Sequence, residues 1–196
     1  MNRRCRIGAS ILLLAGANSW GQDEPISNQD LEVAERFIDA YYSFDPERLR
    51  GMLQSADASM PSILYYQGWA EGGNYSVVER HGCEIANDEI VCPVTVKDDL
   101  MKALRIDFDV TDTFHLSVSR GQILSVDTSS NDLQVFLDAE AWVWKERPEL
   151  VTGPCEGYWS DGKTPGECVR AMVSGYREYT ETEEYAAHIS NLVLPD

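Results

Sequence analysis

Positive charge is scarce in this chain: 16 lysines and arginines stand against 33 aspartates and glutamates, a formal charge of -17. A surface of that sign repels phosphate backbones, which argues against nucleic acid as a partner and disfavours anionic membrane surfaces. Long apolar runs are scarce as well. The stretch Ile7 to Ala17 is too short to cross a bilayer and no second one follows, so the mature chain is not expected to insert into a membrane. There is no compact Cys-x-x-Cys pair, nucleophile elbow, phosphate-binding loop or metal motif, and His81, His115 and His188 are scattered. Neither a metal nor a cofactor is therefore expected. Internal repeats, low-complexity tracts and interdomain linkers are missing too, which leaves about one domain's worth of chain.

What is present begins with Arg3, Arg4 and Arg6 ahead of the apolar run, the pattern of a secretory signal peptide over residues 1–22 with cleavage near Gln22. Its removal takes away three arginines and no acid, so the charge of -17 falls by three to -20. Export to a periplasmic or extracellular compartment makes the four remaining cysteines, Cys83, Cys92, Cys155 and Cys168, candidates for two disulfides. Asn87-Asp88 reads as a two-residue hairpin turn. Counting outward from it sets 86 opposite 89, 85 opposite 90 and Cys83 opposite Cys92. A non-hydrogen-bonded pair at that position has Cα atoms about 4.5 Å apart and can be bridged, leaving Cys155 to pair with Cys168.

Leu31, Ala34, Phe37, Ile38 and Tyr41 recur at helical spacing, and Asp45-Pro46 then opens a second helix carrying Leu49, Met52 and Leu53. A third follows Pro61 with Ile63, Tyr66 and Trp69 on one face. Strands are predicted on both sides of the Asn87-Asp88 turn, over 108–119 and over 122–128, with a short helix between 97 and 104. Val110, Asp112, Phe114, Leu116 and Val118 share one parity, so Asp112 points with the apolar residues and His115 away from them. Asn131 is placed as the cap of a helix ending before Pro148, and Thr164-Pro165-Gly166-Glu167 as a capping box opening another. Helices followed by a meander of antiparallel strands give an α+β class rather than a parallel sheet.

The segments Glu35 to Tyr42, Leu49 to Leu53, Ala86-Asn87-Asp88, Thr113 to Leu116 and Gly121 to Ile123 resemble the nuclear transport factor two-like superfamily, which includes SnoaL-like proteins. The resemblance spans about half the chain. It implies N-terminal helices packed on a bent antiparallel sheet forming a cone over 29–129, with residues 130–190 as an appended helical extension. It also implies a deep apolar pocket, for which Phe37, Tyr41, Tyr66, Trp69 and Phe114 are the candidate lining residues, with Tyr65 and Tyr75 beside them. Dimerisation through the sheet is a further property it implies, for which the appended helices would compete.

Two chemistries of that superfamily can be checked residue by residue. In the isomerase pattern Asp112 matches an oxyanion-hole aspartate, but Phe37 stands for the donor tyrosine and Pro61-Ser62 for the base. In the epoxide-hydrolase pattern Asp99 matches the acid, yet Lys97 replaces arginine and Thr128 replaces the second aspartate, with Asp127 on the wrong strand face. A solvated Lys-Asp-Asp turn accounts for Lys97 to Asp99 better than this chemistry does. The expectation is thus a noncatalytic module that binds a small apolar or aromatic ligand or interacts with another protein. The alternative is a lyase, isomerase or hydrolase using Asp99 and Asp112.

Overall fold

The computed structural model describes residues 25–156 and 166–192. The signal peptide expected over 1–22 and the Thr164-Pro165 start of the expected capping box lie outside the described residues. Helix α1 (Asn28–Tyr41) opens with a capping box in which Ser27 accepts from the Asp30 amide and the Asp30 carboxylate accepts from the Ser27 amide. Asp45 caps α2 (Pro46–Met52) by accepting from the amides of Glu47 and Arg48, with Pro46 in the first turn. Helix α3 (Met60–Gly72) completes the N-terminal layer.

Among the described residues five antiparallel strands form an open sheet: β1 (Ser76–Arg80), β2 (Glu84–Ala86), β3 (Glu89–Lys97), β4 (Val110–Ser119) and β5 (Gln122–Ser130). Their order is β1-β3-β4-β5, with β2 also on β3. Asn87 and Asp88 both take positive φ, 50° and 64°, as a type I′ turn requires, and this sets Ala86 opposite Glu89 and Ile85 opposite Ile90. Strand β1 pairs along β3 from Ser76 opposite Lys97 to Arg80 opposite Val94, and it was not anticipated. All five of its residues are exposed, so it carries no alternation to read. Pro93 is tolerated inside β3 because its edge there meets the passage from β1 to β2, where only its carbonyl is used, by the His81 amide at 3.2 Å.

Along β3 the residues Ile90, Cys92, Val94 and Val96 face inward, and on β4 Val110, Phe114, Leu116 and Val118 do the same. Bulges between Val77 and Glu79 and between Ser117 and Val118 interrupt the register, the feature that bends a strand locally. Helix α1 seats Ala34, Phe37 and Ile38 on this face, each no more than 1% exposed.

The remaining helices are α4 (Asp99–Ala103), α5 (Gln134–Glu146), α6 (Pro148–Val151), α7 (Gly166–Tyr179) and α8 (Glu183–Ser190). Helix α7 is the hub, packing on α3, α4, α5 and α6. It approaches α5 so closely that a Cβ on Gly175 would lie 2.4 Å from Val143. Asn131 does not cap α5, whose N-cap is Leu133; its side chain instead accepts from the Thr111 amide at 2.7 Å, tying the end of β5 to β4.

Cys83 is bonded to Cys92 and Cys155 to Cys168, with Cα separations of 4.2 and 4.5 Å. The first closes the β2–β3 hairpin and the second anchors the α6 end to α7. Replacing both Cys83 and Cys92 by alanine frees a loop of about ten residues in the unfolded chain, and the expected loss is about 2–3 kcal/mol in urea unfolding. A loss below about 0.5 kcal/mol would show that the bridge adds nothing to the turn.

Candidate functional site

Helix α1 ends at Tyr41, whose ring meets Phe114 of β4 edge-on with centroids 4.7 Å apart. The buried Gln67 amide of α3 fixes that end by donating to the carbonyls of Ala40 and Tyr41 at 3.2 and 2.9 Å. Past it lies a cavity of about 310 Å³. Tyr65, Tyr66 and Trp69 of α3 with Tyr75 form one wall, and Phe136, Leu137 and Glu140 of α5 face it from the C-terminal side. The floor is the inner sheet face, where Asp112 stands opposite Ser130 and Phe114 opposite Thr128. Asp132, just ahead of α5, completes the rim.

Of the residues proposed from sequence as pocket lining, Tyr41, Tyr66, Trp69 and Phe114 line this cavity. Phe37 does not: it is fully buried behind the wall, edge-on to Phe114 at 5.7 Å, because its turn of α1 already lies flat on the sheet. Asp112 enters the cavity with the parity read from the strand. Asp99 is not among the lining residues; it sits in the first turn of α4 with Oδ1 3.1 Å from Lys102 Nζ. Lys97 pairs with Asp109 at 3.6 Å, and Asp127 lies opposite the outward His115, which contacts Glu89 and Ser129.

The inward acid of the Lys97–Asp99 turn is Asp98, only 1% exposed, which caps α4 by accepting from the Met101 amide at 2.8 Å. The family resemblance points instead to its neighbour Asp99. The alternation of β3 supplies the missed signal, since Ile90, Cys92, Val94 and Val96 set the even positions inward and 98 continues that series. Asp132, Glu140, Phe136 and Leu137 were also missed. The spacing 136, 137, 140 places the last three on one helix face, but nothing local says that this face meets the sheet.

Burial pushes the Asp112 carboxyl up to about 7, the charge of Asp132 adds to this, and the Tyr42 hydroxyl, donating to Asp112 Oδ2 at 3.3 Å, opposes it. Asp98 is raised to about 6 by burial against the pull of the Met101 and Leu100 amides. Glu140 is raised by burial, with a hydrogen bond from Trp144 working the other way. Asp132, at the exposed rim, is raised by burial and held down by the Ser130 hydroxyl. Burial also raises the phenols of Tyr41 and Tyr75 well above 10, so they stay protonated donors. Among the described residues no group of histidine, cysteine and acidic side chains could hold a metal ion.

A carboxyl whose folded value lies above its unfolded value of about 3.9 holds its proton more tightly in the fold, so its support is complete below about pH 4 and drains away as pH rises toward 7. Asp112→Asn removes that loss. The variant is expected to melt higher than the parent at pH 8, by at least about 1 kcal/mol or roughly 2 °C, and to melt alike at pH 4. An equal difference at both pH values in thermal unfolding would contradict the raised Asp112 value.

No protein-family model, curated protein or solved structure matches this chain.

Proposed function

We propose that the chain is an exported, noncatalytic small-ligand-binding module of the nuclear transport factor two-like fold, with the cavity past α1 as its binding site. The observation that carries this reading is the cavity's composition: a mostly aromatic wall with a few convergent polar groups at one end, the usual make-up of a small-molecule site. Export is supported by the two disulfides, and no described helix is long and apolar enough to cross a membrane. Dimerisation through the outer sheet face belongs to the same proposal. That face carries Thr95, Thr111 and His115, joined by polar contacts such as Thr95 to Thr111 at 2.9 Å.

A lyase, isomerase or hydrolase is the second reading, favoured by Asp112 being held near neutrality beside a tyrosine hydroxyl, as a general acid or base would be. It is weakened by what surrounds Asp112. Asp99 faces Lys102 at the surface, Thr128 stands where a second carboxylate is needed, and the lining residues described include no histidine or lysine.

Leu137 is 47% exposed at the cavity mouth, so a larger side chain there narrows the entrance without disturbing the core. Aromatic fragments screened by saturation-transfer NMR are expected to bind the parent chain, and Leu137→Trp to weaken them at least tenfold. Equal binding by that variant, or no binding fragment at all, would contradict the cavity as a ligand site.

A further inference from the structure

The charge inventory of the cavity says what kind of ligand it takes. Asp112, Asp132 and Glu140 line it, and no lysine, arginine or histidine stands among the described lining residues. The partners these acids do have are neutral: the Tyr42 hydroxyl for Asp112, the Ser130 hydroxyl for Asp132 and Trp144 for Glu140. Each carboxyl therefore keeps acceptor capacity, and no cationic side chain among the described lining residues compensates its charge when it ionises. The opposite wall consists of Tyr41, Tyr65, Tyr66, Trp69 and Tyr75, whose ring faces are the negative side of an aromatic quadrupole. Tyr41 is the last residue of α1, so the partially negative pole of a 14-residue helix adjoins the same space. The α5 N-terminus, just past Asp132, and the phenol hydroxyls contribute partial positive charge, but every full charge among the described lining residues is negative.

An anion is repelled by the carboxylates, the ring faces and the α1 pole. A neutral apolar ligand would seal carboxylates under it without satisfying them, which costs desolvation with no return. A bare metal ion needs several oxygen ligands in one shell, and the described acids do not form such a group. A cation on an organic body fits both halves, with its charge near the carboxylates and its alkyl groups on the rings, as aromatic cages hold ammonium groups.

We infer that the cavity binds a small organic cation, a protonated or quaternary amine whose charged head lies among Asp112, Asp132 and Glu140 against the Tyr41, Tyr66 and Trp69 rings. This rests on the ligand-site reading and narrows it to one chemical class. The net charge of -17 over the chain steers such a ligand inward from a distance. Binding also carries a pH signature. The groups acting on Asp112 are Asp98 from the head of α4, Asp132 ahead of α5, and the Tyr42 hydroxyl; Tyr41 and Tyr75 feel its charge in turn. Arg80 acts on Tyr42 but is paired with Asp39 at 2.7 Å, and Lys102 acts on Asp98 from the surface. With acids on most sides, the empty site holds protons that an arriving cation displaces.

Phenyltrimethylammonium, whose charge is permanent, and tert-butylbenzene, its neutral carbon isostere, separate the possibilities when titrated against the intact chain by ligand-observed NMR. At pH 8 the cation is expected to bind at least tenfold more tightly than the isostere, and at pH 5 less than threefold. Asp112→Asn combined with Asp132→Asn should bring the pH 8 ratio close to one. Isostere binding as tight as that of the cation at pH 8, or a ratio unchanged in the double variant, overturns the inference and leaves the ligand site standing. Binding of neither compound overturns both.

Discussion

The seating of α1 on the inner face of the sheet is the constraint on which the rest depends. Its apolar stripe is buried against β3, β4 and β5, and both of its ends are pinned by polar side chains. At the start, Asp30 accepts from the Gly121 amide in the β4–β5 turn at 2.8 Å while also closing the capping box, so one carboxylate orders the helix start and holds the hairpin to it. At the finish, Gln67 satisfies two terminal carbonyls that would otherwise be buried without partners. The helix can neither slide nor extend. Because it stops at Tyr41 while the sheet continues beneath it, a space is left that α3 and α5 enclose rather than fill.

Two acids stand on inward parities near that space. Asp112 lies on the apolar parity of β4, where a leucine or valine would be the natural occupant, and Asp98 continues the inward parity of β3. Burial withdraws each from water, the charge of Asp132 acts on both and that of Asp98 on Asp112, so their protons are held past the ordinary carboxylate range. Polar groups in such positions lower stability unless something compensates them, and positions where local rules are broken this way tend to serve binding or chemistry. The C-terminal helices matter here for one face: α5 brings Phe136, Leu137 and Glu140 to the opening, and α7 holds α5 in place through the close approach at Gly175.

Much of this was legible in the residues wherever a single local rule decides. Asn87-Asp88 fixed the hairpin register and hence the Cys83–Cys92 bridge, because two consecutive positive φ values leave few alternatives. Helical spacing located α1, α2 and α3, and strand parity turned Asp112 inward. Strand β1 escaped because an exposed edge strand bears no apolar alternation, and its pairing with β3 is a tertiary fact. Asn131 was misplaced because an asparagine ahead of a helix can serve either the helix or a neighbouring strand, and here the Thr111 amide claims it. The family pattern points to Asp99, whereas counting along β3 points to Asp98 as the inward acid. The contribution of α5 to the cavity was beyond reach, since it depends on how two distant segments dock.

The central claim is that packing around the end of α1 withdraws the Asp112 carboxyl from water inside a formed cavity. Carbon-detected NMR titration of that side chain tests it most directly. A midpoint near 7 is the predicted result. A midpoint near 3.9, the value of a carboxylate in water, would show that no such enclosure exists.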